Sequence, residues 1–166
     1  AWARDIRACV ITGMSIPTIE ALARRLDPKQ TLLYIPDWRG AGYDRDYPDY
    51  TAPRENFGPF LDRAHELGFR VMPHVNYFGV DPLNPEYEAF RQSHVRSPWG
   101  NHDHQWWDWD RANPPIKFAY INPASAKWRK RFVGAMVDLC RRFPIDALHL
   151  DQRCASSTIT TAASTA

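Results

Sequence analysis

The chain has 166 residues, 44% of them apolar and 24% charged, enough to fill one core and keep its surface wet. A net charge of +2 with interspersed signs leaves no electrostatic footprint for nucleic acid or anionic lipid, and no run approaches the ~20 apolar residues of a membrane span. Three cysteines are too few for a disulfide framework or zinc ribbon, whereas 14 prolines and seven tryptophans mark a loop-rich chain with a surplus of flat side chains.

The elements alternate in type. Residues 6–14 form a short apolar run ending at small residues, as a buried strand requires. Ser15 and Pro17 then open a helix whose Ile19, Leu22 and Leu26 share a face. A second strand over residues 31–38 stops near Pro36, and a polar loop rich in Gly and Pro follows. Phe57, Phe60, Leu61, Ala64 and Leu67 line a second helix, closed by Gly68 where a left-handed residue is needed. Residues 70–78 read as a third strand despite Pro73, which cannot donate to a ladder.

The connection that follows, residues 79–124, is long for a compact domain, and such excursions are functional or disordered. Trp99, Trp106, Trp107 and Trp109 within it argue against disorder. Asn84-Pro85 starts a small helix there, and residues 118–121 run extended. Ser125 caps a third long helix, expected to turn Trp128, Phe132, Val133, Met136, Val137 and Cys140 inward. A fourth strand spans residues 145–151. The Ser/Thr/Ala-rich segment 153–166 has no amphipathic pattern and reads as a disordered tail, leaving residues 1–152 as the domain.

Strands alternating with amphipathic helices imply parallel strands and right-handed crossovers, so the class is α/β. The candidates are a doubly wound sheet or about four βα units of a TIM (β/α)8 barrel with a long insertion after strand three. A whole barrel needs about 250 residues. No glycine-rich phosphate loop follows the first strand, since Thr12-Gly-Met-Ser15 is not a nucleotide fingerprint. Both folds put chemistry at the carboxyl ends of their strands. There stand Asp37, Trp38 and Arg39 after the second strand, His74, Asn76 and Tyr77 on the third, and His149 and Asp151 on the fourth. Carboxylates, amides and guanidinium groups that bind hydroxyls, beside indoles that pack on sugar C–H faces, make a carbohydrate site. Glycosidic hydrolysis itself needs two carboxyl groups.

Three segments carry a family likeness: Tyr34-Ile-Pro-Asp-Trp-Arg-Gly-Ala-Gly-Tyr43, Gly68-Phe-Arg-Val-Met-Pro-His-Val-Asn-Tyr77, and Ile121-Asn-Pro-Ala-Ser125 leading to Ile145-Asp-Ala-Leu-His-Leu-Asp151. Together they resemble the front half of a glycoside hydrolase barrel of the broad alpha-amylase and alpha-galactosidase group. The resemblance implies a catalytic nucleophile at Asp151, with His149 standing where the group usually carries Arg or Lys. It also implies a substrate contact from Asp37 beside Trp38, while the strand-end positions by themselves add Arg39, His74, Asn76, Tyr77 and His149 as candidate substrate contacts. The acid/base carboxylate of such enzymes comes from a later strand, so a chain of four strands is expected to be an inactive fragment of a retaining enzyme.

Blander roles stand beside these. Asp146, at the amino end of the fourth strand, reads as structural, and Asp37 with Arg39 suits a surface ion pair. The group His102, His104, Asp108 and Asp110 invites a metal, but its irregular spacing in a tryptophan-rich loop favours packing of the indoles on the barrel rim or a stacking surface for sugar rings, so no metal or cofactor is expected. Arg129, Lys130, Arg131, Arg141 and Arg142 suit the solvated face of a helix. A non-catalytic carbohydrate-binding domain is the alternative function, with an oligosaccharide or polysaccharide as ligand in either case. Open edges on strands one and four are expected to drive self-association. The segment's lack of a leader pattern leaves its compartment undetermined.

Overall fold

The computed structural model describes residues 2–96 and 103–151. Trp99, His102 and the expected tail therefore lie outside the described residues. The chain divides into two compact units, one drawn from residues up to Tyr43, Thr51–Val75 and Asp138–Asp151, the other from Asp44–Tyr50 and Asn76–Val137.

The first unit holds a curled, four-stranded, parallel sheet that has the character of part of a (β/α)8 barrel. Its strands are β1 (Ala8–Ile11), β2 (Thr31–Ile35), β3 (Arg70–Asn76, whose last residue opens the second unit) and β7 (His149–Asp151), in the order β1-β2-β3-β7. The first two pairings are parallel, with Val10 beside Leu33 and Leu33 beside Val71. Pro73 is accommodated within β3, level with Ile35 of β2.

Helix α1 (Ile16–Ala23) begins at Ser15, whose hydroxyl accepts the amide of Thr18. That satisfies one of the orphan donors at the helix start. Helix α2 (Phe57–Leu67) buries Phe57, Phe60, Leu61 and Ala64, the i, i+3, i+4, i+7 stripe its sequence spells. It ends at Gly68, where φ is 98°, with the Phe69 amide returning to the Ala64 carbonyl at 2.9 Å. A side chain at Gly68 would be strained in that left-handed conformation. Arg63 of α2 reaches Glu20 of α1 at 2.7 Å and ties the two helices. Leu33, Ile35, Val71 and Val75 fill the buried face of the sheet. Removing a fully buried ring such as Phe60 by alanine costs about 3–5 kcal/mol.

The other face of this sheet corrects an expectation. Residues 6–14 read as a buried strand, but β1 alternates, and Ile11 is 71% exposed. Its register puts Cys9 beside Leu32 and Ile11 beside Tyr34, all on one face. An apolar run gains double-sided burial only where both faces of the sheet are covered.

The second unit is built on an antiparallel sheet of order β4-β6-β5, with β4 (Gly79–Val80), β5 (Trp106–Trp109) and β6 (Ile116–Tyr120). Gly79 is needed there because a Cβ would come within 3.0 Å of both the Asn76 Oδ1 and the Phe118 ring. The expected small helix is α3 (Tyr87–Phe90), and the extended segment near Phe118 is β6. Val80, Phe90, Ala119, Ile121 and Trp128 form the core, with Tyr87, Trp106 and Phe132 packed against it. The Arg131 guanidinium grips both carboxylate oxygens of Glu86 at 2.6 Å.

Helix α4 (Ala126–Arg142) contributes residues to both units. Its inward stripe differs from the expected one. Trp128, Met136 and Leu139 are buried, whereas Val133 and Val137 are 57% and 41% exposed and Cys140 is exposed too. Residues 128, 132, 136 and 139 share one face, and 133, 137 and 140 lie about 100° round the helix from it. Two apolar stripes compete in this sequence, and packing selects one.

Candidate functional site

In the first unit the carboxyl ends of the strands bring four side chains together. Tyr34, one residue from the end of β2, places its hydroxyl 2.8 Å from the Nδ1 of His74 on β3. Its ring lies 4.6 Å, centroid to centroid, from that of His149 on β7. The two imidazoles stack at 5.5 Å with 27° between their planes, and the Tyr43 ring packs 4.9 Å from His74. Asp151 follows His149 by two residues, so strand alternation puts both on one face. A ring nitrogen of His74 and a carboxylate oxygen of Asp151 lie within 4.8 Å of each other.

The electrostatics follow from this packing. Burial lowers the His149 pKa below the ordinary histidine value, and the neighbouring His74 lowers it further, against an opposing pull from Asp151. His149 is therefore neutral at pH 7, a polar neighbour for the Asp151 carboxylate without the permanent charge of an arginine. Neutral imidazole offers one donor and one acceptor, which suits a sugar hydroxyl.

Other expected residues take different places. Trp38 is wholly buried, packed on Phe57 at 5.0 Å, with its indole N–H donated to the His74 carbonyl at 2.7 Å. It props the end of β3 from behind and presents no stacking face. Arg39 is 3% exposed, and its guanidinium donates to the Gly42 carbonyl at 3.1 Å. Asp37 is half exposed and paired with Arg54. Asn76 and Tyr77 belong to the second unit. The Asn76 Oδ1 accepts the amides of Phe78 and Gly79 at 3.1 and 2.7 Å, while its Nδ2 is buried with no partner among the described residues. The Tyr77 carbonyl accepts the Trp128 indole at 2.8 Å.

Two contributors went unread in the sequence, Tyr34 and Tyr43. The signal for Tyr34 was its alternation within β2, where Leu32 and Tyr34 share the half-buried face. Tyr43 carries no such signal, since it arrives from a loop. Of the group that invites a metal, His102 lies outside the described residues. His104 stacks on His94 at 4.4 Å, and Asp108 pairs with Lys117 at 3.2 Å.

At the opposite, amino-terminal end of the sheet a cleft of about 770 Å³ is lined by Trp2, Asp27, Lys29, His65, Arg70 and Asp146, among others. Asp146 is the residue expected to be structural. It accepts the Val71 amide at 2.9 Å, Arg70 at 2.9 Å and His65 at 2.8 Å, so its carboxylate is committed to holding β3 and α2.

Several solved structures of carbohydrate-active enzymes resemble this chain. The alpha-N-acetylgalactosaminidase NagBb of Bifidobacterium bifidum matches with a TM-score of 0.60 at 17% identity, over 89% of this chain and 28% of its own. The maltogenic alpha-amylase AmyB of Thermotoga neapolitana gives 0.59 at 13%, over 89% and 39%. A cycloisomaltooligosaccharide glucanotransferase of Paenibacillus sp., complexed with cycloisomaltoheptaose, gives 0.62 at 17%, over 90% and 24%. At such identities the likeness is one of fold, and this chain spans well under half the length of each. No curated protein matches by sequence. A family model, described as a domain of unknown function, DUF6259, matches residues 2–165. The chain belongs to the DUF6259 family.

Proposed function

We propose that this chain is the front half of a glycoside hydrolase barrel that acts on an oligosaccharide or polysaccharide by a retaining mechanism. The observation that supports this most is the convergence of His74, His149 and Asp151 at the carboxyl ends of parallel strands, where barrel enzymes place their chemistry. Asp151 is the nucleophile. Its carboxylate attacks the anomeric carbon, the leaving oxygen departs with a proton from an acid on a later strand, and water then cleaves the glycosyl ester. His149 and His74 bind hydroxyls beside the reacting centre, and Tyr34 fixes the His74 ring. Asp37 flanks the substrate, and Trp38 and Arg39 hold the loop after β2.

The test uses the full natural polypeptide that carries this chain. Asp151→Asn abolishes hydrolysis of an activated aryl glycoside, and azide restores turnover to Asp151→Ala with a glycosyl azide as product. Undiminished hydrolysis by Asp151→Asn overturns the assignment. A non-catalytic carbohydrate-binding domain would bind oligosaccharide while the wild-type protein releases no reducing sugar.

A further inference from the structure

Tyr34 reaches two strands at once. Its hydroxyl meets the His74 Nδ1 on the adjacent β3 at 2.8 Å. Its ring lies 4.6 Å from that of His149, tilted by 47°, although β7 is the next strand but one in the sheet. Strands two apart are spaced by roughly 10 Å, so this contact needs both the curl of the sheet and the length of a tyrosine. His74 stacks on the same imidazole at 5.5 Å and 27°. His149 is thus packed by two rings. Ring nitrogens lie in the imidazole plane, so a histidine held by neighbouring rings presents its polar edge in one direction.

Such a clamp answers a need. A cationic side chain at position 149 would be drawn toward the Asp151 carboxylate by its charge. Burial lowers the His149 pKa, and a neutral imidazole has no such tether. Packing must supply the orientation instead. The Tyr34 hydroxyl serves the second imidazole in a complementary way. A phenol that donates to Nδ1 leaves the proton of a neutral imidazole on Nε2, on the far side of the ring. We propose that Tyr34 is the positioning residue of this site, setting the proton position of His74 through its hydroxyl and the ring orientation of His149 through its packing. The proposal rests on the glycosidase reading above and adds to it two separable arms of one side chain.

The experiment uses the full natural polypeptide and an activated aryl glycoside. Tyr34→Phe removes the hydroxyl and keeps the ring on His149, and it lowers kcat/KM about three- to tenfold, the scale of one hydrogen bond. Tyr34→Leu removes both arms and costs about a further threefold or more, the scale of an aromatic pair. Melting temperatures stay within a few degrees of wild type. His74→Leu removes the partner of the hydroxyl, and in that background Tyr34→Phe brings no further loss. Nitrogen-15 spectra of histidine-labelled protein read the same arms without turnover: Tyr34→Phe displaces the His74 Nδ1 resonance, and Tyr34→Leu displaces those of His149 as well. Wild-type kcat/KM in both Tyr34 variants overturns the proposal. So do additive losses in the double variant, imidazole spectra that do not move, and a lowered melting temperature with kcat/KM unchanged. The two readings fail separately. Hydrolysis that survives Asp151→Asn refutes the nucleophile, while the Tyr34–His74 cycle and the spectra still decide the positioning role. Hydrolysis lost in Asp151→Asn, with both Tyr34 variants at wild-type kcat/KM, does the reverse.

Discussion

The two ends of the four-stranded sheet treat an aspartate in opposite ways. At the amino end Asp146 is nearly enclosed and receives a backbone amide, a guanidinium and an imidazole. At the carboxyl end, five residues later, Asp151 sits half-buried beside two stacked imidazoles. A carboxylate whose lone pairs are filled by the fold has no capacity left for a substrate. One beside polar, hydrogen-bonding rings retains it. The difference separates the structural aspartate from the one proposed to react, although both lie in a single short segment.

The largest effect that tests this contrast is kinetic. Asp151→Asn is expected to lower kcat/KM for an aryl glycoside by at least about a thousandfold, more than 4 kcal/mol of transition-state stabilisation. Its melting temperature should stay within a few degrees of wild type. Asp146→Ala is expected to behave in the reverse sense. Stripping the carboxylate leaves Arg70, His65 and the Val71 amide without their acceptor, a loss of about 3 kcal/mol in urea unfolding. An Asp146→Ala protein of wild-type stability would erase the distinction between the two ends.

A contrast between two histidines gives the next prediction. His149 packs beside Asp151, which favours its charged form. His94, in the second unit, has Arg96 and His104 for neighbours, and burial pushes its pKa down to about 4. Its Nε2 donates to the Gln105 carbonyl at 2.6 Å, and its Nδ1 lies 3.1 Å from the Tyr87 hydroxyl. A neutral ring meets both demands; an imidazolium cannot accept from Tyr87. Because the folded value lies below the unfolded one of 6.5, the unfolded chain takes up the proton first. This contribution is fully present above pH 6.5 and is lost as pH falls toward 4, amounting to about 3 kcal/mol over the window. Urea midpoints at pH 7 and pH 4.5 measure it. His94→Gln should flatten that part of the profile, and an unchanged slope would remove His94 as its source.

Much of the fold was legible before coordinates because local chemistry and packing agree. Ser15 caps α1, Gly68 terminates α2, and the stripe of Phe57, Phe60, Leu61 and Ala64 buries as its spacing demands. Three features escaped for physical reasons. On α4 two apolar stripes were equally spaced, and only tertiary packing chose Leu139 over Val137. β5 was hidden because Trp106-Trp-Asp-Trp109 gives no alternation of apolar and polar residues. At the candidate site the strand-end rule named His74, His149 and Asp151, which lie close together, but it could not distinguish a side chain on the rim from one behind it. Trp38 and Arg39 stand in the same tripeptide as Asp37, yet they are buried while Asp37 is half exposed.

That tripeptide supplies the smallest and most discriminating effect. Asp37 and Arg54 form an ion pair with both side chains nearly half exposed, 46% and 44%. An exposed pair of this kind contributes about 0–1 kcal/mol, because water screens the attraction and two long side chains lose freedom. Arg54→Ala should therefore shift the urea midpoint only slightly, and less still in high salt. If Asp37 also binds a sugar hydroxyl, Asp37→Asn raises KM several-fold, while Arg54→Ala, which frees the carboxylate, does not. Equal small losses of stability in the two variants, with KM unmoved in both, would reduce Asp37 to the surface ion pair its exposure already permits. The substrate contacts of the first unit would then contract to the tyrosine and histidines grouped around Asp151.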